Sequence, residues 1–272
     1  MSSGPELDRV KEYLRLWTGE RAQVFHPTQR PHYPLFPGLR HEPFHDPREF
    51  PAVAILEREF ASIRGEALAL DDSVQLDYTQ TLRLPPGGPG AWTLYLFHHM
   101  GVEVESVTNR CPKTLAVIRS LPGTCTDYAW ADTAFSSMGA GTHLRPHCST
   151  DNLRVRIHLG VDIPDGCLMR VGDQTRAWEE GKCLAFEDSF EHEVWNRSSS
   201  RRIVLIVDLW HPDLTAVERR ALTAAFRKSD VRRIFLHERI GLATPSETHV
   251  QHIRSMLERH DDSPLVKEFW LA

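Results

Sequence analysis

The chain has 272 residues, of which 41% are hydrophobic and 25% charged, and a formal net charge of −5; it is long enough to bury one substantial core and carry an appendage. Acidic and basic residues are mixed along it and no apolar run reaches the length of a membrane span or signal-peptide core, which argues against nucleic-acid and membrane partners. The five cysteines (Cys111, Cys125, Cys148, Cys167, Cys183) are odd in number and scattered, without a C-x-x-C pair, which argues against a disulfide framework or structural zinc and for a reducing, cytoplasmic setting.

At the N-terminus Leu7, Val10, Leu14 and Trp17 fall at the spacing of an amphipathic helix. Residues 24–50, with FHPTQRPHYPLFPGLRHEPFHD, are rich in Pro and His without a period, and predict an irregular arm whose histidines lie at the surface. Leu56, Phe60, Ile63 and Ala67 predict a helix from Pro51. PPGGPG (Pro85 to Gly90) predicts a turn before an alternating strand at Trp92 to Phe97. A short helix is expected from Thr114 to Leu121, and strands separated by turns from there to Leu209.

Two of these strands carry polar residues in a telling order. Between Asn152 and Val161, Leu153, Val155, Ile157 and Leu159 alternate with Arg154, Arg156 and His158, so one face is apolar and the other basic; a surface strand gives the same alternation. In Arg202 to Trp210 both faces are apolar, which places Arg202 in an interior or pocket. In FEDSFEHEVW (Phe186 to Trp195) a strand sends Glu191 and Glu193 to the side opposite His192, so the partners of His192 lie elsewhere in the chain. A hairpin turn centred near Ser198 would set residue 192 opposite 204 and put His192 and Arg202 on one wall, about 7–8 Å apart.

A buried guanidinium without an acidic neighbour in sequence is a candidate site for a ligand carboxylate. His147, 45 residues before His192 (192 − 147), makes a second imidazole near the same sheet. Two histidines with open positions suit Fe(II), which ordinarily adds one carboxylate. Beyond Pro212 the pattern turns helical, with Thr215-x-x-Glu218 as a capping box, Ser229 as a second cap and Thr244-Pro245-x-Glu247 opening a third helix.

The segments FSSMGAGTHLRPHCSTDNLRVRIHLG, WEEGKCLAFEDSFEHEVWN and RRIVLIVDLWHP closely resemble the aspartyl/asparaginyl β-hydroxylase family of Fe(II)- and 2-oxoglutarate-dependent oxygenases. The resemblance is strongest from Ala134 to Leu214. It implies a mainly β fold, a double-stranded β-helix (jelly-roll, cupin-like) core with flanking helices. The expected division is an oxygenase domain over 1–214 and a C-terminal helical extension over 215–272. By resemblance, His147 and His192 are the iron ligands. Ser136, Arg156, His158 and Arg202 hold 2-oxoglutarate, with Arg202 on its far carboxylate. Where most of the superfamily has an acidic ligand this chain has Ser149, so water is expected to complete the metal shell; Asp151 and Asp188 are the nearby acids.

The implied reaction hydroxylates an aspartyl, asparaginyl or related amino-acid unit at Cβ, consuming dioxygen and 2-oxoglutarate and releasing succinate and CO2. The expected partner is a peptide or small amino-acid-like substrate, with Arg145 and Arg154 as spare cations to meet its acidic groups. The helical tail is expected to shape substrate access or to form a homodimer interface. Two other functions use the same residues: a sensor that binds metal and diacid without turnover, and a zinc hydrolase built on two histidines and an acid. The complete set Arg156, His158 and Arg202 favours the hydroxylase.

Overall fold

A computed structural model describes residues 7–226 except 18–19, 32, 71–89, 100–101 and 129. In chain order the elements are α1 (Asp8–Trp17), β1 (Phe44–His45), α2 (Pro51–Arg58), α3 (Phe60–Ala69), β2 (Trp92–His99), β3 (Val102–Glu103), α4 (Glu105–Thr108), α5 (Pro112–Ser120), β4 (Asp132–Met138), β5 (His143–His147), β6 (Arg154–Asp162), β7 (Cys167–Val171), β8 (Gln174–Ala177), β9 (Cys183–Phe186), β10 (His192–Asn196), β11 (Arg202–Trp210) and α6 (Ala216–Phe226). The strands form a seven-stranded sheet in the order β1-β9-β6-β11-β4-β2-β3 and a four-stranded sheet in the order β5-β10-β7-β8. Every strand pairing is antiparallel. The expected jelly-roll core is therefore present.

Side-chain alternation assigns the two faces of the large sheet. Val155, Ile157 and Leu159 of β6 and Leu205 and Val207 of β11 pack outward against Leu56, Ile63 and Ile118 of α2, α3 and α5. Each such side chain, fully buried, contributes about 1.5–3 kcal/mol. Val204 and Ile206 point the other way, into a second core shared with Leu144, Met169 and Val194 of the small sheet. By the same parity Arg154, Arg156 and His158 of β6 and Arg202 of β11 face the space between the sheets. The basic face of β6 is thus an interior face, and β6 is not an edge strand.

The helical layer follows local rules. Pro51 and Pro112 occupy the first turns of α2 and α5, where a missing N–H costs nothing. The Glu66 carboxylate of α3 accepts from Lys113 N (2.9 Å), Thr114 N (2.7 Å) and Thr114 Oγ1 (2.7 Å), closing the positive end of α5. The single helix expected from Pro51 is broken at Glu59 into α2 and α3, and Leu56, Ile63 and Ala67 remain buried across the break.

Three expectations are corrected. In α1 the buried residues are Val10 and Tyr13, with Trp17 packed against the same core, while Leu14 is 43% exposed; the aromatic rings fill the gap between α1 and the arm better than the shorter leucine. In the arm His26 is exposed but His45 is fully buried. Most important, β10 and β11 do not form a hairpin: β10 pairs with β5 and β7, and β11 with β4 and β6. Asn196 redirects the chain between the sheets. Its Nδ2 donates to Met138 O, Gly139 O and Ser200 O at 3.1, 3.0 and 2.8 Å, and its Oδ1 accepts from Ser198 N and Oγ. His192 and Arg202 consequently face each other from opposite sheets.

The predicted capping box is formed: Thr215 N donates to Glu218 Oε2 at 2.9 Å and Glu218 N to Thr215 Oγ1 at 3.2 Å. It opens α6, whose Leu222 packs with Val10 and Tyr13 of α1. The helices expected after Ser229 and Thr244, and the PPGGPG turn up to Pro89, lie outside the described residues. Among the described residues no helix is long and apolar enough to cross a membrane, and all five cysteines are free thiols.

Candidate active site

His147 and His192 are cross-strand partners on β5 and β10, with ring centroids 4.1 Å apart. Strict alternation would have sent His147 outward, since Leu144 of the same strand faces inward. A register shift lies between the pairs His192↔His147 and Val194↔Leu144, and this bulge, containing Pro146, turns His147 to the inner face. The two imidazoles are held alike. Nδ1 of His147 donates to Arg145 O at 2.6 Å and Nδ1 of His192 to Phe190 O at 2.9 Å, each to the carbonyl two residues earlier. A carbonyl only accepts, so in the neutral rings the lone pair lies on Nε2, the nitrogen through which a metal would be held here.

Glu191 and Glu193 stay on the outer face, as alternation predicts, where Arg170 binds them at 2.8 and 2.5 Å. Ser149 Oγ accepts from Arg154 Nη2 at 2.6 Å. Cys148 is partly buried, and burial pushes its thiol pKa up, which keeps it in the poorly nucleophilic thiol form.

Arg202 is 1% exposed. Its Nη1 donates to Ser136 O at 3.3 Å and its Nη2 to Met138 Sδ at 2.7 Å, while Nε has no hydrogen-bond partner among the described residues. No carboxylate of the described residues stands near enough to support its charge. Burial lowers its pKa to about 10, and the one group opposing that fall is the Cys167 thiol. The guanidinium instead lies over the ring of Trp178, 4.6 Å from its centroid. His158 stacks beside Trp178 (6.0 Å, 18°) and meets the edge of Phe186 at 4.8 Å. Both its ring nitrogens and Trp178 Nε1 are buried without partners among the described residues. Burial, then the charges of Arg202 and Arg156, hold His158 well below the ordinary imidazole pKa, so it is neutral. Ser136 is buried and its Oγ accepts from Trp92 Nε1 at 2.9 Å.

Arg156 stands differently from the expectation of an open anion binder. It donates to both oxygens of Asp208 at 2.7 Å and lies 3.1 Å from Asp188. Burial works against its charge, but Asp208 and Asp188 outweigh it and keep the group protonated. Arg154 is not a spare surface cation. It is 1% exposed and ion-paired with Asp151, Asp188 and Asp208 at 3.5, 3.0 and 3.1 Å. Asp188 connects this network to the histidines: Arg154 and Arg156 outweigh its burial and, with His192, hold its carboxyl below the usual range. Its Oδ1 has no partner among the described residues. Asp151 is turned away, accepting from Tyr128, Thr150 and Leu153 N.

The family model described as aspartyl/asparaginyl beta-hydroxylase matches residues 57–212. The chain belongs to that family. Human aspartyl/asparaginyl beta-hydroxylase is 40% identical over 194 residues, 69% of this chain and 25% of that protein. Rat aspartate beta-hydroxylase domain-containing protein 2 is 33% identical over 211 residues, covering 76% and 59% of the two chains. This chain therefore spans about a quarter of the length of the human relative and less than two thirds of the rat one. Among solved structures, the Schizosaccharomyces pombe Cnp3 cupin domain superposes with a TM-score of 0.30 at 8% identity, covering 50% of this chain and 75% of that domain.

Within this hydroxylase-family chain a second group of ligand-type atoms is present. His45, Glu187 and His211, all buried, bring one such atom each within 4.8 Å of one another. Glu187 Oε1 is 3.0 Å from His45 Nε2 and accepts from Glu42 N at 3.0 Å, and Oε2 accepts from Gln29 Nε2 and Ser189 Oγ. His211 Nδ1 accepts from Asp213 N at 3.2 Å. A neutral His211 must then carry its proton on Nε2, which points at Glu187 from 3.8 Å; metal binding through that nitrogen would set an Nδ1 proton against the Asp213 amide. The donor set suits a hydrogen-bonded carboxylate that ties the arm to β11 rather than a metal centre.

Sequence reasoning missed Asp208, Trp92 and Trp178 as residues of this interior. Asp208 shares the parity of Arg202, so its inward direction was readable; its pairing with Arg156 depends on the β6–β11 register.

Proposed function

We propose that this chain is a metal- and 2-oxoglutarate-dependent hydroxylase acting on an aspartyl, asparaginyl or related amino-acid unit. The observation that carries the reading is Arg202. A guanidinium buried in an apolar core without a carboxylate, as Arg202 is among the described residues, is costly unless a ligand anion completes it, and this one lies across the interior from a histidine pair that presents Nε2. The donor set fits both groups. His147 and His192 would hold Fe(II) through Nε2, and Arg202 would take the far carboxylate of 2-oxoglutarate. Neutral His158 and Ser136 would offer further polar contacts. When bound, the metal, 2-oxoglutarate and dioxygen supply an oxidant able to hydroxylate an unactivated C–H bond, with succinate and CO2 as co-products.

The protein's own contribution is placement. The carbonyls of Arg145 and Phe190 fix the two imidazoles in rotation and protonation. Asp188, held ionised by Arg154 and Arg156, places a negative charge close enough to act on His192, and Ser149 has its hydroxyl engaged by Arg154. Arg156, with Nε and Nη2 on Asp208 and Nη1 3.1 Å from Asp188, supports that carboxylate first. Arg202, His158 and His192 are buried, which shields the anion end of the site from bulk water, while His147 stands at its partly open side.

The test is mass spectrometry of aspartyl and asparaginyl peptides and free amino acids incubated with the chain, Fe(II), 2-oxoglutarate and oxygen. A gain of one oxygen coupled stoichiometrically to succinate is expected. Succinate without oxygen gain in any of these would overturn the substrate assignment, and no succinate with any of them or with cell extract would overturn the enzyme reading.

A further inference from the structure

Trp178 follows β8 of the small sheet, yet its indole lies among groups of the large one. Gly160 of β6 allows this: a Cβ there would collide with the carbonyl of Glu179. Gly160 also exchanges backbone hydrogen bonds with Lys182 and Gly181 at 3.0 and 2.9 Å. The chain after Trp178 is thus laid tightly against β6, and the indole is delivered between His158 and Arg202. The Phe186 ring touches both His158 (4.8 Å) and His192 (6.3 Å), so the order from the histidine pair outward is His192, His158, Trp178, Arg202.

A cation with no counter-ion can be stabilised by a carboxylate or by an aromatic face. The carboxylate would consume the N–H donors and repel an incoming anion. The indole face attracts the guanidinium through its quadrupole and leaves the donors in the ring plane of the guanidinium unused. Trp178 Nε1–H, buried without a partner among the described residues, adds one more donor to the same space.

We propose that Trp178 is the specificity-determining residue of the diacid site: its indole face holds the Arg202 guanidinium with its donors unused, and so fixes how far from the histidine pair the far carboxylate of a dicarboxylate is received. This rests on the 2-oxoglutarate reading of the site. Removing the indole both weakens the far-carboxylate contact and frees the guanidinium from its fixed distance to the histidine pair.

The experiment is calorimetric binding of the four-, five- and six-carbon 2-oxo diacids to the full chain with Zn(II), in wild type, Trp178→Phe and Trp178→Leu. Wild type is expected to prefer the five-carbon diacid. Trp178→Leu should bind it about thirtyfold more weakly, the size of one desolvated cation–π contact, and should lose the preference among chain lengths. Trp178→Phe, which keeps an aromatic face, should fall between. Unchanged affinity and length preference in folded Trp178→Leu would overturn the inference, whereas a wild type that binds none of the diacids would overturn the 2-oxoglutarate reading instead. Should Trp178→Leu not fold, the diacid-induced change in tryptophan emission decides. It is expected in wild type and lost in Trp178→Phe that still binds by calorimetry; an undiminished change in that variant counts against Trp178.

Discussion

Arg202→Met separates ligand binding from folding stability, because the wild-type side chain serves the first at the expense of the second. The fall of the Arg202 pKa to about 10 under burial corresponds to roughly 3 kcal/mol of uncompensated desolvation at 1.36 kcal/mol per unit. Met removes that penalty and fills much of the volume, and the lost contact with Trp178 gives back about 1–2 kcal/mol. Without ligand the variant should therefore be as stable as wild type or more stable by up to ~2 kcal/mol in urea unfolding. Binding moves the other way: loss of the paired carboxylate contact should weaken 2-oxoglutarate by about 2–5 kcal/mol, with Arg202→Lys intermediate because an ammonium supplies charge without the planar fork. At 2-oxoglutarate a hundred times the wild-type Kd, wild type should gain about 2.7 kcal/mol and Arg202→Met at most about 0.9 kcal/mol. Undiminished stabilisation of Arg202→Met by 2-oxoglutarate, or a ligand-free variant several kcal/mol less stable than wild type, would refute the assignment of Arg202 as an anion site left uncompensated by the fold.

Arg154→Met should behave oppositely and destabilise the chain by about 3–5 kcal/mol in urea, because it leaves buried Asp151, Asp188 and Asp208 short of a cation; near-wild-type stability would show that the network is dispensable. In anaerobic titrations with Fe(II) and 2-oxoglutarate, the charge-transfer absorption should disappear in His192→Ala and persist in Ser149→Ala, whose hydroxyl is engaged by Arg154; undiminished iron binding in His192→Ala counts against the ligand pair. The depressed pKa of His158 means the unfolded chain takes up a proton near pH 6.5 that the folded chain refuses, so its contribution to stability is lost as pH falls below that value. His158→Gln should remove up to ~1.4 kcal/mol per pH unit of that acid slope, and an unchanged slope argues against a neutral buried His158. Asp188, depressed in the folded state, supports stability above pH ~4 that is lost as pH falls through its folded pKa. Asp188→Asn should flatten the stability profile in that lower window, and a profile identical to wild type would place its charge elsewhere.

Local patterns made much of this protein legible. Alternation placed Arg154, Arg156 and His158 on one face of β6 and sent Glu191 and Glu193 away from His192. The double-sided apolar character of β11 marked Arg202 as interior, and the Thr215–Glu218 box marked the start of α6. These depend on the two-residue period of a strand or on one helical turn, which the residues themselves encode. Long motif similarity added the family.

What the sequence left open depends on which strand lies beside which. The turn after Trp195 has the composition of a hairpin, but Asn196 ties it to Met138 and Gly139, so His192 and Arg202 face across the barrel instead of sharing a wall. The inward turn of His147 requires a bulge visible only in the β5–β10 register. Arg154 and Arg156 looked equally basic beside Arg202; only the opposition of Asp208 across β6 and β11, with Asp188 arriving from the segment before β10, neutralises the first two and, among the described residues, leaves the third without an acid. Charge type is a property of a residue. Charge compensation is a property of neighbours brought together from distant parts of the chain, and in a low-dielectric interior it decides which arginine is structural and which one awaits an anion.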